Sequence, residues 1–420
     1  MADEVLSNDP NEDPLCFARL LLRSMECALI PDSRRYRVLA LAFAAAFITY
    51  MDRVCLSAAA PSIQRDLGLT QLQMGYVFSI FNFAYGLSEV PAAWLGDRWG
   101  QRLMMARIVG GWSVFTILTG AARGFTALLA TRFVFGCAEA GAFPTLSRAL
   151  SRWFPPQERS RANGVMWTGA RLGGAFAPAM AAALIVAVGW RWAFAAFGAV
   201  GLVWCAVWLV WYRDNPAGDA VQQIKAPVPW RKLLTNGTLL ALFWAYFASG
   251  FGFQFFITWL PTFLMREHGL SLQRSGFYSS LPMLAGAAGC LAGGVVADWL
   301  GRRTTGVAGF LLAAVAFIGS VYATSAEWAI VGLVLAAGLH DLTVPAAWAV
   351  CVDIGGRFGG TASGYMNLAS SISGTVAPLA AAWLADVTGT FTSIFWVAAA
   401  VYVMGGLLWL TIDPHKAPIA

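Results

Sequence analysis

Leu95-Gly-Asp97-Arg98-Trp-Gly100-Gln-Arg102 joins two strongly apolar segments, and Val296-Ala-Asp298-Trp-Leu-Gly301-Arg302-Arg303 stands in the same setting about 200 residues later. The agreement continues outward. Pro61 with Leu67-Gly-Leu-Thr70 matches Pro261 with His268-Gly-Leu-Ser271. Pro144 matches Pro345, Gly164 matches Gly364, Met166 matches Met366, Gly174 matches Gly374, and Pro178 matches Pro378. The chain is therefore two copies of one unit.

Each copy is built from apolar segments long enough to cross roughly 30 Å of hydrocarbon. They fall at 38–60, 73–95, 103–121, 125–147, 162–187, 192–212, 237–264, 275–299, 304–324, 328–351, 360–386 and 391–412. With six segments per copy, equivalent residues share an orientation, so the repeat is parallel about an axis along the membrane normal. The expected fold class is an all-α membrane protein with 12 transmembrane helices in two six-helix bundles. The expected divisions are a tail (1–37), a first bundle (38–212), a linker containing Pro216, Pro227 and Pro229 (213–236), a second bundle (237–412) and a short end (413–420). In parallel-repeat carriers the substrate site lies near the midplane between halves that rock to alternate access.

Composition agrees. Hydrophobic residues make up 58% of 420 and charged residues 12%, about half the share of a soluble protein. Basic residues are unevenly placed. Arg65, Arg123, Arg191, Arg266 and Arg274 fall in one set of loops and Arg53, Arg132 and Arg171 in spans. Apart from Arg107, which lies near the start of the span at 103–121, the rest of the 28 Lys and Arg lie on the side that carries both ends. The positive-inside rule makes that side cytoplasmic, so the net charge of +6 reflects topology and implies no nucleic-acid partner. The seven scattered cysteines have no metal-site or disulfide spacing. Leu15–Ile30 is interrupted by Arg19, Arg23 and Glu26, so it is no signal peptide and reads as a cytoplasmic tail or a surface-lying helix.

Charges inside spans are costly, at about 2.5–3.5 kcal/mol each near the bilayer centre, and they mark function. Asp52 and Arg53 fall in the first span, Arg132 and Glu139 in the fourth. At 1.5 Å per residue, Asp52 and Arg132 come to matching depth, roughly 4–6 Å to the outer side of the midplane, and can pair. Arg132 and Glu139 share a face but are separated by about 10 Å along the axis. Arg53 is left for Glu139, for a substrate carboxylate, or for each in turn. An anion that takes Arg53 deprives Glu139 of its partner and drives it to bind a proton.

Other polar groups lie at similar depth. Tyr50 and Tyr85 can donate to substrate oxygens, Gln254 and Asn367 can read a hydroxyl or carboxylate, and Trp348 can wall a cavity. Arg171, mid-span, suits a second carboxylate or a structural acid such as Glu89. His340 and Asp341 read equally as a proton relay or as a satisfied pair, and His340 aligns with Glu139 in the repeat. Asp97 and Asp298 at helix ends can cap a neighbouring helix or pair with arginine, so Asp97, Arg98, Arg102, Asp298 and Arg302 are candidate gating residues.

Ala93-Trp-Leu-Gly-Asp97-Arg98-Trp-Gly100-Gln-Arg102 resembles the loop signature of the major facilitator superfamily, with Ala93 at an expected glycine. Tyr50-Met-Asp52-Arg53, Ala60-Pro61, Arg132-x3-Gly136-x2-Glu139, Phe143-Pro144, Arg152-Trp-Phe-Pro155 with Glu158-Arg159, and Gly189-Trp-Arg-Trp-Ala-Phe194 resemble its anion:cation symporter family. The likeness covers roughly residues 36–413. It implies alternating access by a bacterial carrier of sugar acids or other organic acids, with tyrosines at positions 50 and 85 lining the cavity.

The expected function is proton-coupled uptake of an organic carboxylate such as a sugar acid, by a multi-pass monomer in a bacterial inner membrane with both ends cytoplasmic. The expected coupling ion is H+, without cofactor or metal. An exporter or antiporter of organic anions or drugs is the first alternative, opposed by Arg53, Arg132 and Arg171. An aromatic-acid importer is the second, favoured by the many Phe and Trp. An enzyme has no support, since there is no phosphate-cradling glycine loop, no histidine-rich cluster and no soluble domain.

Overall fold

The computed structural model describes residues 32–154, 159–214, 229–323, 325–355 and 358–413. The tail expected at 1–37 lies outside the described residues up to residue 31, as do most of the linker and the end beyond residue 413. The described residues form helices and no strand: α1 (Asp32–Leu67), α2 (Gln71–Gly120), α3 (Phe125–Glu139), α4 (Ala142–Trp153), α5 (Arg159–Trp211), α6 (Trp230–Thr235) and α7 (Gly237–Thr258). There follow α8 (Leu260–His268), α9 (Leu272–Leu300), α10 (Arg302–Val321), α11 (Ala326–Asp341), α12 (Thr343–Gly355), α13 (Gly359–Thr388) and α14 (Ser393–Thr411).

Among the described residues these helices make twelve crossings. α2 and α5 each cross twice, bent at Gly100 (φ 75°) and Gly189 (φ 80°). α3 with α4, α7 with α8, and α11 with α12 each make one interrupted crossing, and α1, α9, α10, α13 and α14 cross singly. The turns repeat with the sequence. Left-handed glycines occur at 68 and 269, at 100 and 301, and at 189 and 389, so each half turns its corners alike. Helix starts are capped by Thr70, Ser271, Ser325 and Asn236, whose side chains accept from amides of the first turn.

The interruptions position the site. Pro144, Pro261 and Pro345 each lack an N–H, and their rings crowd the carbonyl four residues earlier. The helix accordingly breaks at Ala140–Gly141, at Trp259 and at Leu342. The first break adopts φ +84° at Gly141, and the last falls directly after Asp341. Spans expected to be continuous at 125–147 and 328–351 are thus broken directly after the acids singled out in them.

Small residues let the helices approach closely, as membrane packing requires. A Cβ at Gly169 or Gly173 would fall 2.5 or 2.2 Å from the carbonyl oxygens of Phe43 and Phe47 on α1. The halves meet at mid-depth and at the face opposite the linker. Gly75 packs on Ala382, Gly276 on Ala182, and the Phe78 and Trp259 rings lie 5.0 Å apart. Trp259 Nε1 donates to the Pro378 carbonyl (2.9 Å) and braces that closure. Among the described residues these contacts close the face opposite the linker.

Candidate functional site

The break after Glu139 leaves this acid at the end of α3, fully buried beside α1. Arg53 donates from Nε to Glu139 Oε1 in an ion pair. The guanidinium sits among four rings, its carbon 4.9 Å from the centre of Tyr85, 5.2 Å from Phe81, 5.3 Å from Tyr50 and 6.0 Å from Phe143. Such a cage favours a cation. Arg53 Nη2 and Glu139 Oε2 are buried without a hydrogen-bond partner, so the pair retains unused capacity on both sides. Phe81 and Phe143 were not singled out in the sequence; Phe143 carries a signal only as the residue before Pro144.

Asp52 and Arg132 lie near one another, but no direct ion pair joins them. Both are buried to within 1% exposure, and neither Asp52 oxygen finds a partner at normal hydrogen-bond geometry. Arg132 Nε and Nη1 are also unpartnered, while its guanidinium stacks 4.0 Å from the centre of Phe135. The neighbours of Asp52 are Glu139 and Arg132, with Trp112 and Thr116 on α2. Matched depth brought the two charges close without aiming them at each other.

A second centre bridges the halves. Arg171 on α5 pairs with Asp341 on α11 (3.4 Å), not with Glu89. Asp341 Oδ1 lies 3.0 Å from His340 Nδ1, and His340 Nε2 lies 2.7 Å from Ser249 Oγ on α7. The imidazole stacks on Tyr402, and the Arg171 guanidinium lies 5.7 Å from the Phe253 ring. His340 and Asp341 thus form a pair within one chain of contacts that runs from Arg171 to Ser249. Ser249 carried no distinguishing sequence signal.

Tyr50 and Tyr85 flank Arg53, as described above. Gln254 Nε2 donates to Asn82 Oδ1 across the halves (3.4 Å), leaving Gln254 Oε1 buried and unpartnered. Trp348 donates to the Tyr246 hydroxyl (3.1 Å), which ties it to α7. Asn367 is half-buried on α13. Among the described residues no three His, Cys, Asp or Glu side chains converge as a metal site.

At the linker face, the side chains of Asp97, Arg98 and Asp298 lie outside the described residues. Arg102 Nε donates to the Leu209 carbonyl (3.1 Å), and Arg302 pairs with Asp353. Asp214, which the sequence did not single out, accepts from the amides of Gln101 (2.7 Å) and Arg102 (3.0 Å) and caps the helix restarting after Gly100. Its carbonyl accepts from Arg152 (3.0 Å).

Residues 42–378 match the family model of the Major Facilitator Superfamily. The chain belongs to this superfamily. It is a multi-pass membrane transporter and not an enzyme, and it stands with the organic-anion carriers within the superfamily, as the motifs around Arg53 and Glu139 imply. It is 34% identical to the probable sulfoacetate transporter of Cupriavidus necator, over 88% of this chain and 91% of the relative. It is 31% identical to the D-galactonate transporter of Escherichia coli (91% and 96%) and 32% to that species' probable galactarate/D-glucarate transporter (85% and 88%). The crystal structure of a bacterial homologue of the human lysosomal transporter Spinster shares the fold, with a TM-score of 0.80, 21% identity and coverage of 91% and 99%.

Proposed function

We propose that this transporter imports a small organic anion together with protons across a bacterial inner membrane, its linker and both ends cytoplasmic. The observation that carries the proposal is the Arg53–Glu139 pair: a caged guanidinium with a free Nη2, holding an acid that has no other cation in hydrogen-bonding reach. A substrate carboxylate or sulfonate takes the guanidinium and leaves Glu139 buried without its ion-pair partner, beside Asp52, where it binds a proton. Substrate and proton therefore load together. The sugar-acid and sulfonate substrates in the names of the relatives support an anionic cargo. With the far face closed, this orientation makes the conformation an inward-facing one.

Tyr50, Phe81, Tyr85 and Phe143 around Arg53 also suit an aromatic acid, which remains the second reading. An exporter of cationic drugs is opposed by the buried arginines. The test is uptake of a radiolabelled panel of organic acids into proteoliposomes. An inward-directed proton gradient should drive accumulation and a protonophore should abolish it. Accumulation that follows sodium alone, with no pH dependence, refutes proton coupling.

A further inference from the structure

Arg53 and Arg171 share Tyr50 as a neighbour. The Arg53 guanidinium carbon lies 5.3 Å from the centre of this ring, and Tyr50 lies within electrostatic range of Arg171. Gly174, one turn beyond Arg171, would bring a Cβ within 3.3 Å of the same ring. Each guanidinium holds a single carboxylate in a salt bridge and keeps part of its surface open, 17% for Arg53 and 23% for Arg171. The two pairs differ in placement. Arg53 and Glu139 both belong to the first half, whereas Arg171 and Asp341 belong to opposite halves.

We propose that Arg53 and Arg171 form the two ends of one site for a short dianion, an organic acid bearing a second carboxylate or a sulfonate, whose two anionic groups displace Glu139 and Asp341 so that each takes up one proton. The proposal rests on the organic-anion reading above and goes further in naming the charge of the cargo and the number of protons.

Charge balance supports it. With no cargo bound, both pairs are neutral. A dianion that displaces both carboxylates brings two negative charges into a space where uncompensated charge is expensive. Two protons, one on each displaced carboxylate, restore neutrality; a single proton would leave a net negative charge to be carried across. On the other side the cargo leaves, each arginine recovers its carboxylate, and both protons return to water. Placement supports it too. The Arg171–Asp341 bridge ties one half to the other, so the second anionic group loosens a contact that the first, at the Arg53–Glu139 pair within one half, does not touch. Asp341 also has a proton route in His340 (3.0 Å), which reaches Ser249 (2.7 Å). Arg171, Cys290, Tyr246 and Tyr402 are the other charged or titratable groups around this acid.

The test is transport by the full chain in proteoliposomes, with a panel of one-charge and two-charge organic acids. It includes two matched pairs, D-glucarate against D-gluconate and sulfoacetate against isethionate. Wild type should carry the two-charge acids at least tenfold more efficiently than their partners. Arg171→Gln should lower that ratio roughly ten- to a hundredfold, the worth of a charge-assisted contact. Arg53→Gln should reduce both classes. Dianion uptake by wild type should be insensitive to membrane potential, while Asp341→Asn, with one proton fewer, should be slowed by an inside-negative potential. The neutral pair Arg171→Gln/Asp341→Asn controls for folding and should melt near wild type while keeping the lowered ratio. Preference for one-charge acids with Arg53 dependence, or an unchanged ratio in Arg171→Gln, overturns the dianion site alone. Failure to carry any acid of the panel overturns this site and the organic-anion reading together.

Discussion

Arg53 on α1 holds Glu139 at the residue where α3 ends, so the ion pair and the broken helix are one structural unit. Gly141, at φ +84°, makes the break, and a Cβ there would come within 3.0 Å of Ala92. Movement of the Glu139 carboxyl away from Arg53 therefore acts at a joint rather than within a rigid rod. That placement makes the pair a natural point at which cargo binding and helix movement meet.

Glu139→Gln mimics the protonated acid. Exchange of cargo between the two sides should continue at a rate within about tenfold of wild type, while accumulation driven by a proton gradient disappears. Counterflow and gradient-driven uptake in the same proteoliposomes separate the two. Loss of both together would make Glu139 a structural clamp.

Arg53→Lys keeps the charge but loses the planar fork that fits two oxygens. Apparent affinity for cargo should fall at least tenfold, corresponding to about 1.4 kcal/mol or more. Unchanged affinity would mean that the guanidinium does not touch the cargo.

The geometry ranks two charge couplings. Arg53 and Glu139 are in direct contact, so a double-mutant cycle in detergent melting should give an interaction of about 1–3 kcal/mol. Asp52 and Arg132 are near but not paired, and their cycle should give about 0.5 kcal/mol or less. The reverse order would contradict the placement of these four side chains.

Asp214 caps the helix that restarts after Gly100, and Asp214→Ala should cost about 1 kcal/mol of stability. Asp214→Asn, which keeps an accepting oxygen, should cost less. Thermal melting compares them. Equal losses would assign the effect to the ion pair of the Asp214 carboxylate with Arg152 (3.9 Å) instead.

The far-face closure is open to direct trapping. Cysteines at Gly75→Cys and Ala382→Cys lie within cross-linking reach, given a Cβ separation of 2.7 Å that modest relaxation widens. Oxidation should stop transport and reductant should restore it. Full transport by the cross-linked protein would show that this face does not open.

The repeat made most of the fold legible. The apolar segments gave the number of spans and the matched prolines and glycines the repeat, and the same glycines turn out to set the left-handed corners at 68 and 269 and at 100 and 301. The breaks in α3–α4 and α11–α12 were implicit in Pro144 and Pro345, whose missing N–H and ring interrupt a helix. Depth at 1.5 Å per residue placed Asp52 near Arg132 but said nothing of rotation about the helix, and rotation decides whether two charges meet. Arg171 with Asp341 was beyond reach for a similar reason. Sequence gives depth along each helix, but not which helices of opposite halves face each other. Asp214 was hidden in a polar stretch that looked like linker, because a cap depends on the neighbouring helix end rather than on its own surroundings.

The central claim is that cargo displaces Glu139 from Arg53 and obliges it to bind a proton. The most direct measurement is the proton movement that accompanies binding itself, read as a pH change when a transported acid is added to the purified protein in weakly buffered detergent solution. Wild type should take up protons and make the medium more alkaline, in proportion to the sites filled, and Glu139→Gln should take up fewer at equal occupancy. Equal proton uptake by both proteins, or binding by wild type with no proton uptake at all, would contradict it.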